Sequence, residues 1–225
     1  MPMSREIRIT PSILNADFSQ LNLEIQRIAG VSDLLHLDVM DDVFVPNFTF
    51  DFESASKIIT ESPMPVDAHL MVADVDLIAI QYAEIGCASV TIHAEATRNI
   101  PQTLRNIRAA GARASLGIKP DTDVSDYASV VDDVDMFLIM TVEPGFGGQS
   151  FMESMMDKVK RTREIIGDQP IWLQVDGGIS MKTIEMALDA GADTFVVGSA
   201  VFNAPDPAAM VVSLRECAQN FTQQP

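Results

Sequence analysis

Eight short apolar runs rich in β-branched residues recur roughly every 20–30 residues, each followed by an amphipathic stretch long enough for a helix. The runs are IRITPSI (7–13), DLLHLDVM (33–40), PVDAHLMV (65–72), ASVTIHA (88–94), RASLGI (113–118), DMFLIMTV (135–142), PIWLQVD (170–176) and DTFVVG (193–198). The helical stretches are 17–29, 52–61, 74–85, 100–110, 122–131, 151–166, 180–190 and 206–219. Strict βα alternation predicts parallel strands, because each crossover helix returns the chain to the same end of the sheet. Several runs are almost wholly apolar, as strands covered by helices must be. Ala-Gly at 110–111 and 190–191 closes two helices with a left-handed C-cap, and Asp17 and Ser180 stand at N-cap positions. Eight βα units close naturally into a (β/α)8 TIM barrel, although an open doubly wound sheet would use the same elements.

The 225 residues fit one such barrel as a single domain, 1–225, with a short polar tail from about 220. No Gly/Ser linker or charge run divides it. Asp+Glu 32 against Lys+Arg 15 gives a net charge of −17, which argues against nucleic acid or an anionic membrane as partner. The first residues, MPMSREIR, are polar, and no run of about 18 apolar residues could span a bilayer. The expected location is the cytoplasm. Cys87 and Cys217 form no disulfide framework and read as buried free thiols. Asn47-Phe48-Thr49 and Asn220-Phe221-Thr222 match the glycosylation pattern by chance.

In a βα barrel the reactive side chains come from the C-terminal ends of the strands. The polar residues there are Ser12, His36 and Asp38, His69, His93, Lys119, Glu143, Asp176 and Gly198-Ser199, a set that takes in all three histidines. His36 and Asp38 are two apart on one strand and share a face. His69 lies on the next strand and Asp176 across the barrel. Two imidazoles and two carboxylates can converge on one divalent cation of the Zn²⁺, Fe²⁺, Mn²⁺ or Co²⁺ kind, or form a buried, satisfied His–Asp network. His93 reads as a strand-end histidine that hydrogen-bonds, and Lys119 as a solvated side chain.

Three glycine elements follow the last strands: Gly145-Phe146-Gly147-Gly148, Gly177-Gly178 after Asp176, and Gly198-Ser199. Glycines let backbone N–H groups approach an anion, and barrels of this type hold phosphate after strands seven and eight. No Lys or Arg accompanies these turns, so amides would carry most of the binding. Met40, Met71 and Met140 fall near strand ends, either as core packing or as an apolar cap over the reacting carbon.

The segments PSILNADF, HLDVMDDVFVPNFTF, DAHLMV, IHAEA, MTVEPGFGGQSF, QVDGGIS and VVGSAVF resemble, in order, those of the ribulose-phosphate 3-epimerase family from residue 9 to about 203. The resemblance implies a phosphate-binding TIM barrel that interconverts ribulose 5-phosphate and xylulose 5-phosphate through an enediolate, in the pentose phosphate pathway. It implies that His36, Asp38, His69 and Asp176 hold one divalent metal ion and that Asp38 and Asp176 exchange the proton. It also implies that Ser12, His69, Asp176, Gly145 to Gly148, Gly177, Gly178, Gly198 and Ser199 contact the sugar phosphate. Met40, Met71 and Met140 match the family's hydrophobic cap, and the chain is expected to form a homo-oligomer. Two departures stand out: Asp42 replaces the usual Gly or Asn, and Asp51-Phe52-Glu53 replaces a Gly-x-Pro. A 3-epimerase of another ketose phosphate, such as allulose 6-phosphate, and a non-catalytic sugar-phosphate-binding barrel are the alternatives. The Asp-x-Lys-x-x-Asp element of orotidine-phosphate decarboxylases is lacking, with methionine where lysine would stand.

Overall fold

The computed structural model describes residues 6–222. Its strands are β1 (Arg8–Pro11), β2 (Leu35–Met40), β3 (Val66–Met71), β4 (Ser89–His93), β5 (Arg113–Ile118), β6 (Met136–Met140), β7 (Trp172–Asp176) and β8 (Thr194–Val197). The α-helices are α1 (Leu21–Ile28), α2 (Phe52–Glu61), α3 (Val75–Glu84), α4 (Ile100–Ala109), α5 (Met156–Ile166), α6 (Ile184–Asp189), α7 (Ser199–Phe202) and α8 (Pro207–Thr222). All strands pair in parallel in the order β1-β8-β7-β6-β5-β4-β3-β2. An isolated parallel bridge between Ser12 and His36 joins the two ends, so the sheet is a barrel closed by one thin seam.

That seam is clamped from outside. Arg215 of α8 donates to the carbonyls of Ile7 and Val31 and to Asp33 Oδ2, which also accepts from Ile9 N. The main core lies between strands and helices, where outward residues such as Leu35, Leu37, Val90, Ile92, Phe137 and Phe195 are fully buried. The inward face differs. Its lower part holds Thr10, Asp67, Ser89 and Gln174, all buried. Burying such groups without partners costs several kcal/mol each, roughly 2–7 for an amide or hydroxyl, so their mutual hydrogen bonds are a condition of the fold.

Most of the expected elements form, with local differences. The stretch 122–131, expected as α-helix, is replaced by 3-10 turns over Val124–Asp133 capped by Asp123. The segment expected as one helix over 151–166 starts with a 3-10 turn, Glu153–Met155, before α5. The four-residue α7 follows β8 directly and is an addition. Asp17 caps a 3-10 turn, Phe18–Gln20, ahead of α1. Gly111 and Gly191 take positive φ, 98° and 106°, as C-cap glycines do. Of the two cysteines Cys87 is buried, but Cys217 is only partly so, because it donates to Glu185 Oε1 on the α6–α8 surface. Helix α8 reaches Thr222, and the rest of the polar tail lies outside the described residues.

Candidate active site and metal centre

The C-terminal ends of the strands open into a shared cavity. Asp38, Asp176 and Ser12 form part of its wall, and the glycine turns at 145–148, 177–178 and 198 form the rest. No Lys or Arg is among the residues that line it.

Strand register builds the polar end. His36 lies opposite Asp67 and Asp38 opposite His69 on β2 and β3, and Asp176 ends β7. One ligand atom from each of His36, Asp38, His69 and Asp176 falls within 4.8 Å of the other three. His36 Nδ1 is 2.8 Å from Asp67 Oδ2, and Asp67 also accepts from Ser89 Oγ and Gln174 Nε2. That carboxylate fixes the proton on Nδ1 and turns Nε2 toward Asp38 and Asp176, at 3.4 and 3.8 Å. His36 Nε2 is buried and has no hydrogen-bond partner. An imidazole nitrogen bare of partners, aimed at two carboxylates, is the donor set a divalent cation takes.

The second imidazole is held differently. His69 Nδ1 lies 3.0 Å from Asp38 Oδ1 and 3.5 Å from Asp176 Oδ2. Its Nε2 is 2.9 Å from Nε2 of His93, whose Nδ1 is 3.2 Å from Glu95 Oε2. His93 is fully buried at the end of β4. Ser12 Oγ donates to Asp38 Oδ2 at 2.5 Å.

Electrostatics follow from this packing in the metal-free protein. Burial disfavours a charged His36, but the carboxylates of Asp38 and Asp67 outweigh it and hold the imidazole well above its ordinary value. Burial likewise opposes a charged His69, and Asp176 and Asp38 raise it. Burial would push Asp38 up, yet His36 and His69 hold it far below the usual carboxylate range. Burial pushes His93 down to about 4, so it is neutral. Glu95, raised by burial but lowered more by its bonds to His93 and Thr122, lies at about 2.

The apolar side of the cavity holds Met40, Met71 and Met140. All three point inward. They belong to small clusters separate from the main core, Met40 and Met71 with Val45, and Met140 with Leu138 and Val142. The glycine side is set by close approach. Gly177 has φ 120°, and a Cβ there would lie 2.4 Å from Val142 Cγ2. At Gly198 a Cβ would meet Asn15 Oδ1 at 2.3 Å. Phe146 is half exposed on the rim, and Gln149 donates to the carbonyls of Glu143 and Phe146, bracing the 145–148 turn. Ser199 opens α7 at the same wall.

Four contributors escaped the sequence reading. Asp67 stands two residues before His69 on the same face, the same spacing as His36 and Asp38, and that spacing was its signal. Gln174 bears the same relation to Asp176. Asn15, inside PSILNADF, fills the space between the glycine turns at 147 and 198. Glu95 follows His93 by two but lies in the turn past β4. Lys119, expected to be solvated, instead lays Nζ 3.7 Å over the Phe44 ring, which packs 5.0 Å from His93. Asp42 is exposed and turned to solvent.

Comparison with known proteins agrees with this architecture. The model of the ribulose-phosphate 3 epimerase family matches residues 8–202. A ribulose-phosphate 3-epimerase of Mycobacterium leprae (strain TN) is 46% identical over 212 residues, covering 93% of this chain and 94% of its own. Ribulose-phosphate 3-epimerase 1 of Cupriavidus necator is 41% identical over 225 residues, covering 95% and 93%. Among solved structures, KGPDC from Streptococcus mutans in complex with D-R5P superposes with TM-score 0.75 at 14% identity, over 96% of this chain and 98% of that one. At that identity the likeness concerns the TIM-barrel fold alone. With a family model spanning all eight strands and relatives this similar along nearly their whole length, the chain belongs to the ribulose-phosphate 3-epimerase family.

Proposed function

We propose that this protein is an isomerase that interconverts D-ribulose 5-phosphate and D-xylulose 5-phosphate, moving a proton at C3 between Asp38 and Asp176 over a divalent-cation centre. The observation that carries it is a pair of carboxylates from β2 and β7 beside two imidazoles, at the floor of a cavity whose other wall is glycine. The named relatives support the choice of sugar.

Asp38, held ionised by its imidazole neighbours and by Ser12, takes the C3 proton in one direction. Asp176 returns a proton to the opposite face, and the reverse reaction exchanges the roles. Two positioned groups of this kind contribute roughly 10²–10⁴-fold each. A carboxylate so far below its ordinary range is a weak base, so the carbon acid must be made stronger. When bound, the cation supplies that help as a Lewis acid beside the growing negative charge of the enediolate. His36, Asp38, His69 and Asp176 would hold it, and nitrogen with carboxylate oxygen suits Zn²⁺, Fe²⁺, Mn²⁺ or Co²⁺. Met40, Met71 and Met140 exclude water over the reacting carbon. Ser12, His69, Asp176 and Gly145 to Gly148 would contact the sugar, and Gly177, Gly178, Gly198 and Ser199 would bind the phosphate through main-chain amides.

A single-domain, cytoplasmic homo-oligomer is part of the same reading. The one eight-stranded sheet supports the first, and the exposed apolar side chains of Phe18, Leu23 and Leu77 support self-association. Among the described residues no helix is long and apolar enough to cross a membrane.

The test is NMR of the metal-replete protein with ribulose 5-phosphate in D₂O. Xylulose 5-phosphate carrying deuterium at C3 is the expected product. Folded, metal-replete protein that yields neither product nor exchange would sink the assignment. Asp38→Asn and Asp176→Asn should each lower turnover at least about 10³-fold, with metal content measured in both because each is a proposed ligand.

A further inference from the structure

We propose that His93 and Glu95 are positioning residues that dictate the tautomer of His69, leaving its Nδ1 as the lone pair turned toward the cation. The inference rests on reading the His36, Asp38, His69 and Asp176 cluster as a metal centre. It adds two residues that touch neither ion nor substrate.

Proton accounting from Glu95 inward fixes the tautomer of a neutral His69. Glu95 Oε2 faces His93 Nδ1 at 3.2 Å, and a carboxylate only accepts, so the proton of a neutral His93 is on Nδ1. His93 Nε2 is then an acceptor. It faces His69 Nε2 at 2.9 Å, so His69 donates from Nε2. In neutral His69 the remaining nitrogen, Nδ1, carries the lone pair and faces the carboxylate oxygens of Asp38 and Asp176 at 3.0 and 3.5 Å, where a second proton would otherwise hydrogen-bond Asp38. The His36 arm reaches the same end by a shorter route, with Asp67 directly on Nδ1 and Nε2 left bare. The two imidazoles thus present opposite ring nitrogens to one point, and each needs its own tautomer lock.

The lock on His69 is itself held. Glu95 Oε1 accepts from Lys119 N at 3.0 Å, which ties the turn after β4 to the end of β5. Phe44 packs against the His93 ring under the Lys119 ammonium. Gly117, paired with His93 across β4 and β5, gives the ring its room: a Cβ there would lie 3.4 Å from both Cε1 and Nε2. Glu95 and Phe44 thus hold the ring with Nε2 facing His69.

The experiment is zinc titration of metal-free protein against a chromophoric chelator, for wild type, Glu95→Gln, His93→Leu and His93→Gln. Loss of an outer partner of a metal-bound imidazole typically weakens binding about 10–100-fold, the range expected for His93→Leu. Glu95→Gln, whose amide can offer either a donor or an acceptor to Nδ1, should lose at least about fivefold. In His93→Gln the amide oxygen accepts from His69 Nε2, so affinity recovers toward wild type. ¹⁵N spectra of zinc-loaded, histidine-labelled wild type should show His69 protonated at Nε2. If both Glu95→Gln and His93→Leu stay within about fivefold of wild type, or the spectra put the His69 proton on Nδ1, the relay is overturned. Should His93→Leu not fold by circular dichroism, Glu95→Gln at the barrel rim and the spectra decide alone. A wild type that binds no zinc, cobalt or manganese overturns the metal centre itself, which is a different failure.

Discussion

Asp42 holds its backbone at φ 58°, the left-handed region that glycine and asparagine enter most easily. Its N–H donates to Asn47 O, closing the turn after β2, so the conformation is imposed by the loop. A residue that enters this region easily, such as the Gly or Asn that the family resemblance leads one to expect, would fit the turn, and the exposed Asp42 side chain takes no part in the site. Asp42→Gly should leave stability within about 1 kcal/mol of wild type and Asp42→Val should cost about 1–2 kcal/mol in urea denaturation, with kcat unchanged in both. A second prediction concerns the imidazoles of the metal-free protein. His36 and His69 are raised above 6.5, so the folded chain holds their protons more tightly than the unfolded chain does. That stabilisation is complete below pH 6.5 and is lost as pH rises through the raised values. His93, lowered to about 4, acts oppositely and costs stability as pH falls below 6.5. Asp38 and Asp67 are depressed, so their contribution is complete above pH 3.8 and is lost in stronger acid. Urea midpoints in EDTA should therefore fall as pH rises above 6.5, and zinc should abolish the fall by taking the place of the protons. A midpoint that climbs with pH in EDTA would contradict the geometry. The histidines and aspartates on strands were legible because a spacing of two fixes a shared face. Asp67 obeyed the same rule, two residues before His69, but was not singled out. Asn15 and Glu95 were not legible, since they lie in turns where spacing says nothing about direction.

At the level of elements, every strand was visible as an apolar run, because a parallel sheet covered by helices has no polar face to break the pattern. The segment at 124–133 was misjudged for a local reason. Its apolar positions, Val124, Tyr127, Val130 and Val131, are spaced for either winding, and the Asp123 cap, accepting from Ser125 N, favours the tighter turn. The departure at 51–53 has a plain consequence: Asp51 is the N-cap of α2 and accepts from Ser54 N at 2.8 Å. The side chain thus satisfies one of the free N–H groups at the start of the helix. The turn after β7 is less forgiving. Gly177 has positive φ, lies against Val142, and its carbonyl accepts from Thr141 Oγ1 at 2.6 Å. Gly177→Ala should cost about 2–4 kcal/mol by urea unfolding, from strain and overpacking together. It should also raise KM more than it lowers kcat if the turn binds substrate.

For the whole molecule, four of the buried polar groups at the floor of the cavity belong to one candidate cation centre, and they come from β2, β3 and β7. An ion there would tie distant parts of the barrel together. Zinc at 100 times its dissociation constant should add about 2.7 kcal/mol to unfolding, or roughly 5–10 °C in melting temperature for a chain of this size. Calorimetry with and without EDTA checks this, and an unchanged melting point would argue that the cluster is only a hydrogen-bonded network. Barrel closure itself could not be read from strand counting. It rests on the Ser12–His36 bridge and the Arg215 clamp, contacts between residues far apart in sequence that carry no local pattern.

The glycine wall has a consequence for genetics. If the wall binds the phosphate as proposed, its working groups are main-chain amides, so there is no side chain to delete, and no lysine or arginine lines the cavity. An alanine scan would resolve the imidazoles and carboxylates residue by residue. Across the other half of the cavity it would register only collisions, with Val142 at Gly177 and Asn15 at Gly198, and would mistake a recognition surface for a packing constraint.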